Sequence, residues 1–404
     1  MDIFKKCDDY ITADIAKEQG YYPYFHELTS KQDTEVVMEG RHVVMIGSNN
    51  YLGLTSHKDV VKASLNATKK YGSGVSGSRF LNGTLNLHVE LEKQLAAFVG
   101  MEDATIFASG FQSNLGIISA IAGRNDIIFS DKENHASIYD GIKLSYAEVV
   151  RYNHNDMADL EAKIIKTKAQ LAEKNIQKGM IIITDGVFSM TGDLCDLPKI
   201  IELKKKYDVR VMVDDAHGFG VMGATGKGTP EHFNLMKDVD IVMGTFSKSL
   251  ASLGGYVASS NRVINFIRHN SRPYIFSAAI PPANTAAALA ALKILKKEPQ
   301  RVKNLRDITN YMRQALKKHG VDFKETNDQT PIIPIYTYLP KRTMVACNML
   351  FERGVYVNPV LPPATPMGEC LIRTSYTATH TKKQIDYAVG IIAEVLEQLK
   401  DLQE

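Results

Sequence analysis

Between residues 104 and 246 short apolar runs return at intervals, and the stretches between them carry helical spacing. The runs are "ATIFAS" (104–109), "DIIFSD" (126–131), "GMIIITDGVF" (179–188), "VRVMVDDA" (209–216) and "DIVMGTF" (240–246). Each lacks apolar/polar alternation, so each reads as a strand buried on both faces. "SNLGIISAIAG" and "LPKIIELKKKY" are typical of the helical stretches between them. The alternation predicts an α/β fold built on a mostly parallel sheet. With 404 residues, 44% of them hydrophobic, the chain is long enough for more than one lobe. Thr84 to Val99 reads as an amphipathic helix, with Leu87, Leu91, Leu95 and Phe98 on one face. Past about residue 290 long helices dominate, with strands at "IIPIYTY" and "CLIRTSY". The expected division is an N-terminal arm (1–48), a large domain (49–285) and a smaller α+β domain (286–404).

In an open parallel sheet, ligands bind beyond the carboxyl ends of the strands. Ser109-Gly110, Asp131, Asp185-Gly186, Asp214 to His217 and Thr245 to Lys248 all fall at such ends. They point to one cleft. Two phosphate motifs fail. "GSGVSG" (72–77) fits the dinucleotide pattern but follows "VVKASLNATKKY", a helical stretch where a strand is required. "GATGKGT" (223–229) has Val221 where a P-loop needs its first glycine, and Gly228 in place of Ser/Thr.

Nucleic acid is not an expected partner, because the net charge is only +3 and no basic stripe is interleaved with aromatics. Four scattered cysteines without a CxxC pair indicate neither a disulfide framework nor a metal site, and fit a cytoplasmic protein. The N-terminus carries acidic residues from the second position and no long apolar run, unlike a signal peptide. "PYIFSAAIPPANTAAALAAL" (273–292) is uncharged but holds three prolines. It reads as a buried loop and a helix starting at Pro281-Pro282, not as a membrane span.

Lys248 stands among small residues in "GTFSKSLASLGG" (244–255), a setting that suits a lysine condensing with a carbonyl. Alone, the stretch reads equally well as a solvated loop. "VDDAHGFG" (213–220) delivers Asp214 to a strand end, with His217 three residues later. Each could be structural by itself. Together with Lys248 they form a pair suited to pyridoxal 5'-phosphate: a carboxylate to keep the pyridine nitrogen protonated and an amine for the Schiff base. "ASGFQSNLG" (108–116) supplies a phosphate end, with Gly110 opening a helix. Thr245 and Ser247 could add hydroxyl donors, and His135 in "DKENHASIYDG" could lie on the ring.

These segments, with "SNNYLGL" (48–54), "GSRFLNGT" (77–84) and "LIRTSY" (371–376), resemble the α-oxoamine synthases in order along nearly the whole chain. These fold-type I pyridoxal phosphate enzymes join an amino acid to an acyl-CoA with loss of carbon dioxide. "TFSKS", "GSRFLNGT" and "PPATP" (362–366) look most like the bacterial members using L-serine and palmitoyl-CoA. Glycine- and alanine-using members more often read "TLGKA" or "TLAKA".

The resemblance implies that Lys248 forms the Schiff base and later removes the α-proton, that Asp214 pairs with the ring nitrogen, and that His217 contacts the ring hydroxyl. It implies that His135 stacks on the ring and helps to orient the substrate carboxylate. The phosphate falls to the amides of Gly110 and Phe111, to Thr245 and Ser247, and to Ser277 and Ala278 of the partner in a homodimer with shared sites. Arg373 receives the carboxylate, with Asn50 near the same place. Where relatives can have an arginine before "PPATP", this chain has Leu361, so a second carboxylate-binding arginine does not carry over. The expected reaction is condensation of L-serine with a long-chain acyl-CoA to 3-oxosphinganine, the first step of sphingolipid synthesis. A glycine C-acetyltransferase and an 8-amino-7-oxononanoate synthase are the alternatives within the family. A non-catalytic partner subunit would lack the Schiff-base lysine. Acyl-chain length and peripheral association with an inner membrane stay open.

Overall fold

The computed structural model describes residues 2–324 and 330–402. A seven-stranded sheet organises the large body. Its order is Asp103–Phe107, Gly255–Ser259, Ile241–Thr245, Arg210–Asp214, Gly179–Asp185, Asp126–Asp131 and Glu148–Tyr152. Only Gly255–Ser259 runs against the others. The five expected strands are all present. Glu148–Tyr152 ("EVVRY") is an edge strand that lacks their continuous apolar run because most of its residues are exposed or half-buried; the other edge, Asp103–Phe107, is covered and keeps the run.

Alternate side chains of the strands feed two separate cores. Ile182, Val211 and Val213 pack with the helices Met157–Glu173 and Leu197–Tyr207. Ile183, Met212 and Met243 face the opposite side, with Gly110–Ile121, Ala136–Ser145 and Asn261–Asn270. Both layers follow from the two-residue period of the strand. Local signals set the helix ends. Leu197–Tyr207 starts where the Asp196 carboxylate accepts from the Lys199 amide, with Pro198 in the first turn. It ends on Lys204, Lys205 and Lys206, cations that suit the negative end of the helix dipole.

The helix Pro282–Lys297 does start at the proline pair, but it runs through the expected boundary at 285/286. Its alanine-rich face packs with Leu91, Leu95 and Tyr256 in the core of the large body. The C-terminal body holds Ile332–Tyr338, Cys370–Ser375 and Asn358–Val360 in an antiparallel sheet, backed by Gln300–Lys318 and Lys382–Gln398. The hairpin Glu35–Met38/Arg41–Met45 adds Val355–Tyr356 as a parallel third strand, which fastens the arm to the C-terminal body. No helix among the described residues is long and apolar enough to cross a membrane.

Candidate active site

Asp185 and Asp214 are the last residues of neighbouring parallel strands and stand side by side in register. Beyond them opens a cavity of about 280 Å³, lined by Gly110, Phe111, His135, Asp214, His217 and Thr245, and by Ser247 and Lys248. The strand ends thus converge as an open sheet requires. The size lies just below the ~300–1,000 Å³ usual for small-molecule sites.

Asp214 is held on both carboxylate oxygens. Oδ1 accepts from the Ala216 amide at 3.0 Å, and Oδ2 accepts from Asn114 Nδ2 at 2.6 Å. The same Asn114 nitrogen donates to Ser137 Oγ at 2.9 Å, and Ser137 Oγ lies 2.7 Å from His135 Nδ1. A buried carboxylate and an imidazole are therefore oriented through one amide and one hydroxyl. The adjacent Asp215 turns to the opposite face of its strand. It accepts from the amide and hydroxyl of Thr229, and burial pushes its carboxyl up to about 8. One aspartate serves the cavity and the other the packing. Alternation along the strand separates them.

Burial pushes the Lys248 ammonium down to about 8; Asp214 opposes the shift and Arg373 adds to it. The lysine therefore releases its proton far more readily than a solvated one. His135 is lowered by burial, against the pull of Asp214. His217 is driven well below its ordinary value by burial, then by the positive charges of Lys248 and Arg373. Both imidazoles are thus held neutral. Burial also raises Asp185 well above the carboxylate range, and the nearby Asp214 charge adds to that.

At the far end of the cavity the helix Gly110–Ile121 begins, with Ser109 Oγ accepting from the Gln112 amide. Thr245 Oγ1 lies 2.9 Å from Ser247 Oγ. Gly110 is needed there, because a Cβ would come within 2.7 Å of the Thr245 hydroxyl. Gly255 packs equally close, its Cβ position lying 2.4 Å from Ser113 Oγ. The two glycines bring a helix N-terminus and two hydroxyls together, an arrangement suited to an anion.

Arg373 lies on the central strand of the C-terminal sheet and is nearly buried. Its Nε donates to the Ser189 carbonyl at 2.6 Å. Its Nη2 donates to Asn49 Oδ1 at 3.0 Å and to the Tyr51 hydroxyl at 3.4 Å. Tyr51 in turn lies 2.7 Å from His217 Nδ1. The side-chain oxygen of Asn50 instead accepts from the amides of Leu54 and Thr55, within its own turn. Asn49, Tyr51, Asn114, Ser137 and Asp185 all sit in or beside segments quoted above, but spacing does not reveal which residue of a segment turns inward.

Ser277 and Ala278 stand apart from this cavity, on a loop whose Phe276 is 80% exposed. "GSRFLNGT" does not line the cavity either. The Gly77 carbonyl accepts from the Ala279 amide, and Arg79 pairs twice with buried Glu92 at 2.7 and 3.0 Å. The segment therefore braces the loop. In "GATGKGT", the amides of Thr225 and Lys227 donate to the Glu231 carboxylate, which closes that loop to a phosphate.

The model for aminotransferase class I and II matches residues 41–392. The chain is 50% identical over 381 residues to a serine palmitoyltransferase of Bacteroides thetaiotaomicron, covering 94% of each chain. It is 42% identical over 385 residues to an 8-amino-7-oxononanoate synthase of Geobacter sulfurreducens, covering 95% of this chain and 96% of that one. A solved S. paucimobilis serine palmitoyltransferase with a bound PLP–myriocin aldimine superposes with a TM-score of 0.94 at 33% identity, covering all of both chains. The chain belongs to the aminotransferase class I and II family and, within it, to the α-oxoamine synthases.

Proposed function

We propose that the cavity holds pyridoxal 5'-phosphate and that the protein condenses L-serine with a long-chain acyl-CoA, palmitoyl-CoA foremost. The products are 3-oxosphinganine, CoA and carbon dioxide. The observation that carries this reading is a buried lysine, depressed to about 8, in the same cavity as a hydrogen-bonded strand-end aspartate. The residues fit the cofactor: Gly110 and Gly255 leave room for close approach at the anion end, and Asn114 Oδ1 and Asp185 Oδ1 are buried polar atoms without a protein partner. When bound, the cofactor supplies an electron sink for negative charge on the amino acid's α-carbon.

The remaining work falls to the chain. Lys248 Nζ would hold the cofactor, and its lowered pKa would let it accept the α-proton of the amino acid near neutral pH. Asp214, steadied by Asn114, would face the ring nitrogen. His217 would meet the ring hydroxyl, and neutral His135 would cover the ring. The amides of Gly110 and Phe111, with Thr245 and Ser247, would bind the phosphate. Arg373, steered by Asn49, Tyr51 and Ser189, receives the serine carboxylate. The 50% identity to a serine palmitoyltransferase supports serine and a long acyl chain. Ser277 and Ala278 would complete the site of a second copy in a homodimer, and the exposed Ile3, Phe4 and Ile11 would rest on a membrane surface.

Thiol release measured for L-serine, glycine and L-alanine against acetyl-, pimeloyl- and palmitoyl-CoA tests the reading. Serine with palmitoyl-CoA should exceed glycine with acetyl-CoA by at least ~100-fold in kcat/KM, a floor well under the roughly 10⁴-fold that a site hydrogen-bonding the distinguishing hydroxyl can reach. Faster turnover of alanine with pimeloyl-CoA would make it an 8-amino-7-oxononanoate synthase instead.

A further inference from the structure

A second opening of about 720 Å³ lies between the N-terminal arm and the C-terminal body. One wall comes from the arm, including Ala13, Tyr22 and Tyr24. The other comes from Met344 and the segment around Leu361 and Ala364. No charged side chain lines it. The Lys17 and Asp14 side chains of the arm helix pair with each other at 3.6 Å and are more than half exposed. So large an apolar opening on a surface marks a binding site.

Its position relative to the active site decides what it binds. Met190 and Ala364 line both this groove and a polar opening of about 580 Å³. That polar opening is bordered by Lys132, Glu133, Lys324 and Glu369, and it also reaches His135, which lines the cavity of Lys248. The loop after Gly179–Asp185 spans all three spaces. Val187 faces the cavity, Ser189 holds Arg373, and Met190 begins the apolar groove. A molecule reacting beside Lys248 thus has a polar passage next to its reacting end and an apolar trough beyond.

We propose that this groove is the acyl-chain subsite, with the hydrocarbon tail of the thioester lying between the arm and the 359–367 segment. The proposal rests on the reading of the site as one that takes an acyl-CoA. It gives Leu361 a role, since an apolar side chain there faces the tail. Contact with a tail is non-directional and grows with area, so aromatic, methionine and proline side chains on irregular backbone suffice.

The chain has no tryptophan, so Tyr24→Trp places a single indole reporter in the groove. In the holoenzyme without serine, palmitoyl-CoA should shift its emission to the blue, with a midpoint at least ~100-fold below that of octanoyl-CoA. That ratio corresponds to between about three and four methylenes taken from water. No shift, or equal midpoints for the two thioesters, would overturn the proposal. As a second measurement, Ala364→Phe at the junction should lower the ratio of kcat/KM for palmitoyl-CoA over octanoyl-CoA by at least ~10-fold, and Ala13→Trp farther out by less. An unchanged ratio in both variants, with the cofactor absorbance retained, would also overturn it. A Trp response without turnover of serine and palmitoyl-CoA would uphold the groove and refute the proposed reaction.

Discussion

The Lys248 cavity and the groove beneath the N-terminal arm are built in opposite ways. The cavity is walled by strand ends and helix starts, and its polar groups are held by neighbours: Asp214 by Asn114, His135 by Ser137, Arg373 by two separate segments. The groove is made from the short helix Thr12–Glu18, the irregular backbone around it, the start of the helix Pro340–Glu352 and the turn around 359–367. Phe25 on its rim is 92% exposed. Directional chemistry needs side chains fixed within fractions of an ångström, which a sheet ladder and its buried hydrogen bonds provide. Apolar contact has no direction to preserve, so it can be delegated to the periphery.

If that contrast is correct, changes in the cavity should act on turnover steeply and on chain length hardly at all. Lys248→Ala removes the amine and the base together. It should abolish the visible absorbance of the internal Schiff base and lower kcat by on the order of 10⁴-fold or more. A fully active variant would end the assignment of this lysine. Asp214→Asn keeps the shape and removes the charge, so kcat should fall by ~10²–10³-fold with the fold intact. Asn114→Ala leaves the carboxylate in place but loosens it. Its effect should be nearer ~10-fold and confined to kcat, with the ratio between palmitoyl and octanoyl substrates unmoved. A changed ratio would mean that the two regions are not separable.

The smallest effect concerns protons. In the cofactor-free protein Lys248 is lowered to about 8 from 10.5 by burial. Between those values the unfolded chain binds more protons at this site, so stability rises with pH. The contribution is fully present above 10.5 and lost as pH falls through about 8. Thermal midpoints of wild type and Lys248→Met, both free of cofactor, should therefore converge as pH climbs from 8 towards 10.5. Parallel curves would mean that the lysine is not buried in the folded protein. Cofactor uptake should quicken over the lower part of the same range, near pH 8, as the neutral amine becomes available.

Much of this was legible in the residues. Five uninterrupted apolar runs predict five strands of the sheet, because a strand covered on both faces has no polar side to show. Asp214 and Lys248 are readable as a pair because each follows such a run, and the rule that ligands sit beyond strand ends brings them together. The edge strand Glu148–Tyr152 escaped because its exposed residues break the apolar pattern. The helix Pro282–Lys297 reads as a helix from its alanines, but nothing local says which body those alanines pack against.

By itself the sequence determined the sheet, the side of it that carries chemistry, and the residue types gathered there, since these depend on periodicity and on what a strand end can present. Only the tertiary structure decided that Asn114 holds Asp214 from 100 residues away, that Tyr51 joins His217 to Arg373, and that Asn49 turns inward while Asn50 serves its own turn. The groove under the arm was also decided there, because its two walls lie more than 300 residues apart in the chain. The reason is physical. Burial and hydrogen-bond partnership depend on which distant segments share a space, and local patterns carry no record of that.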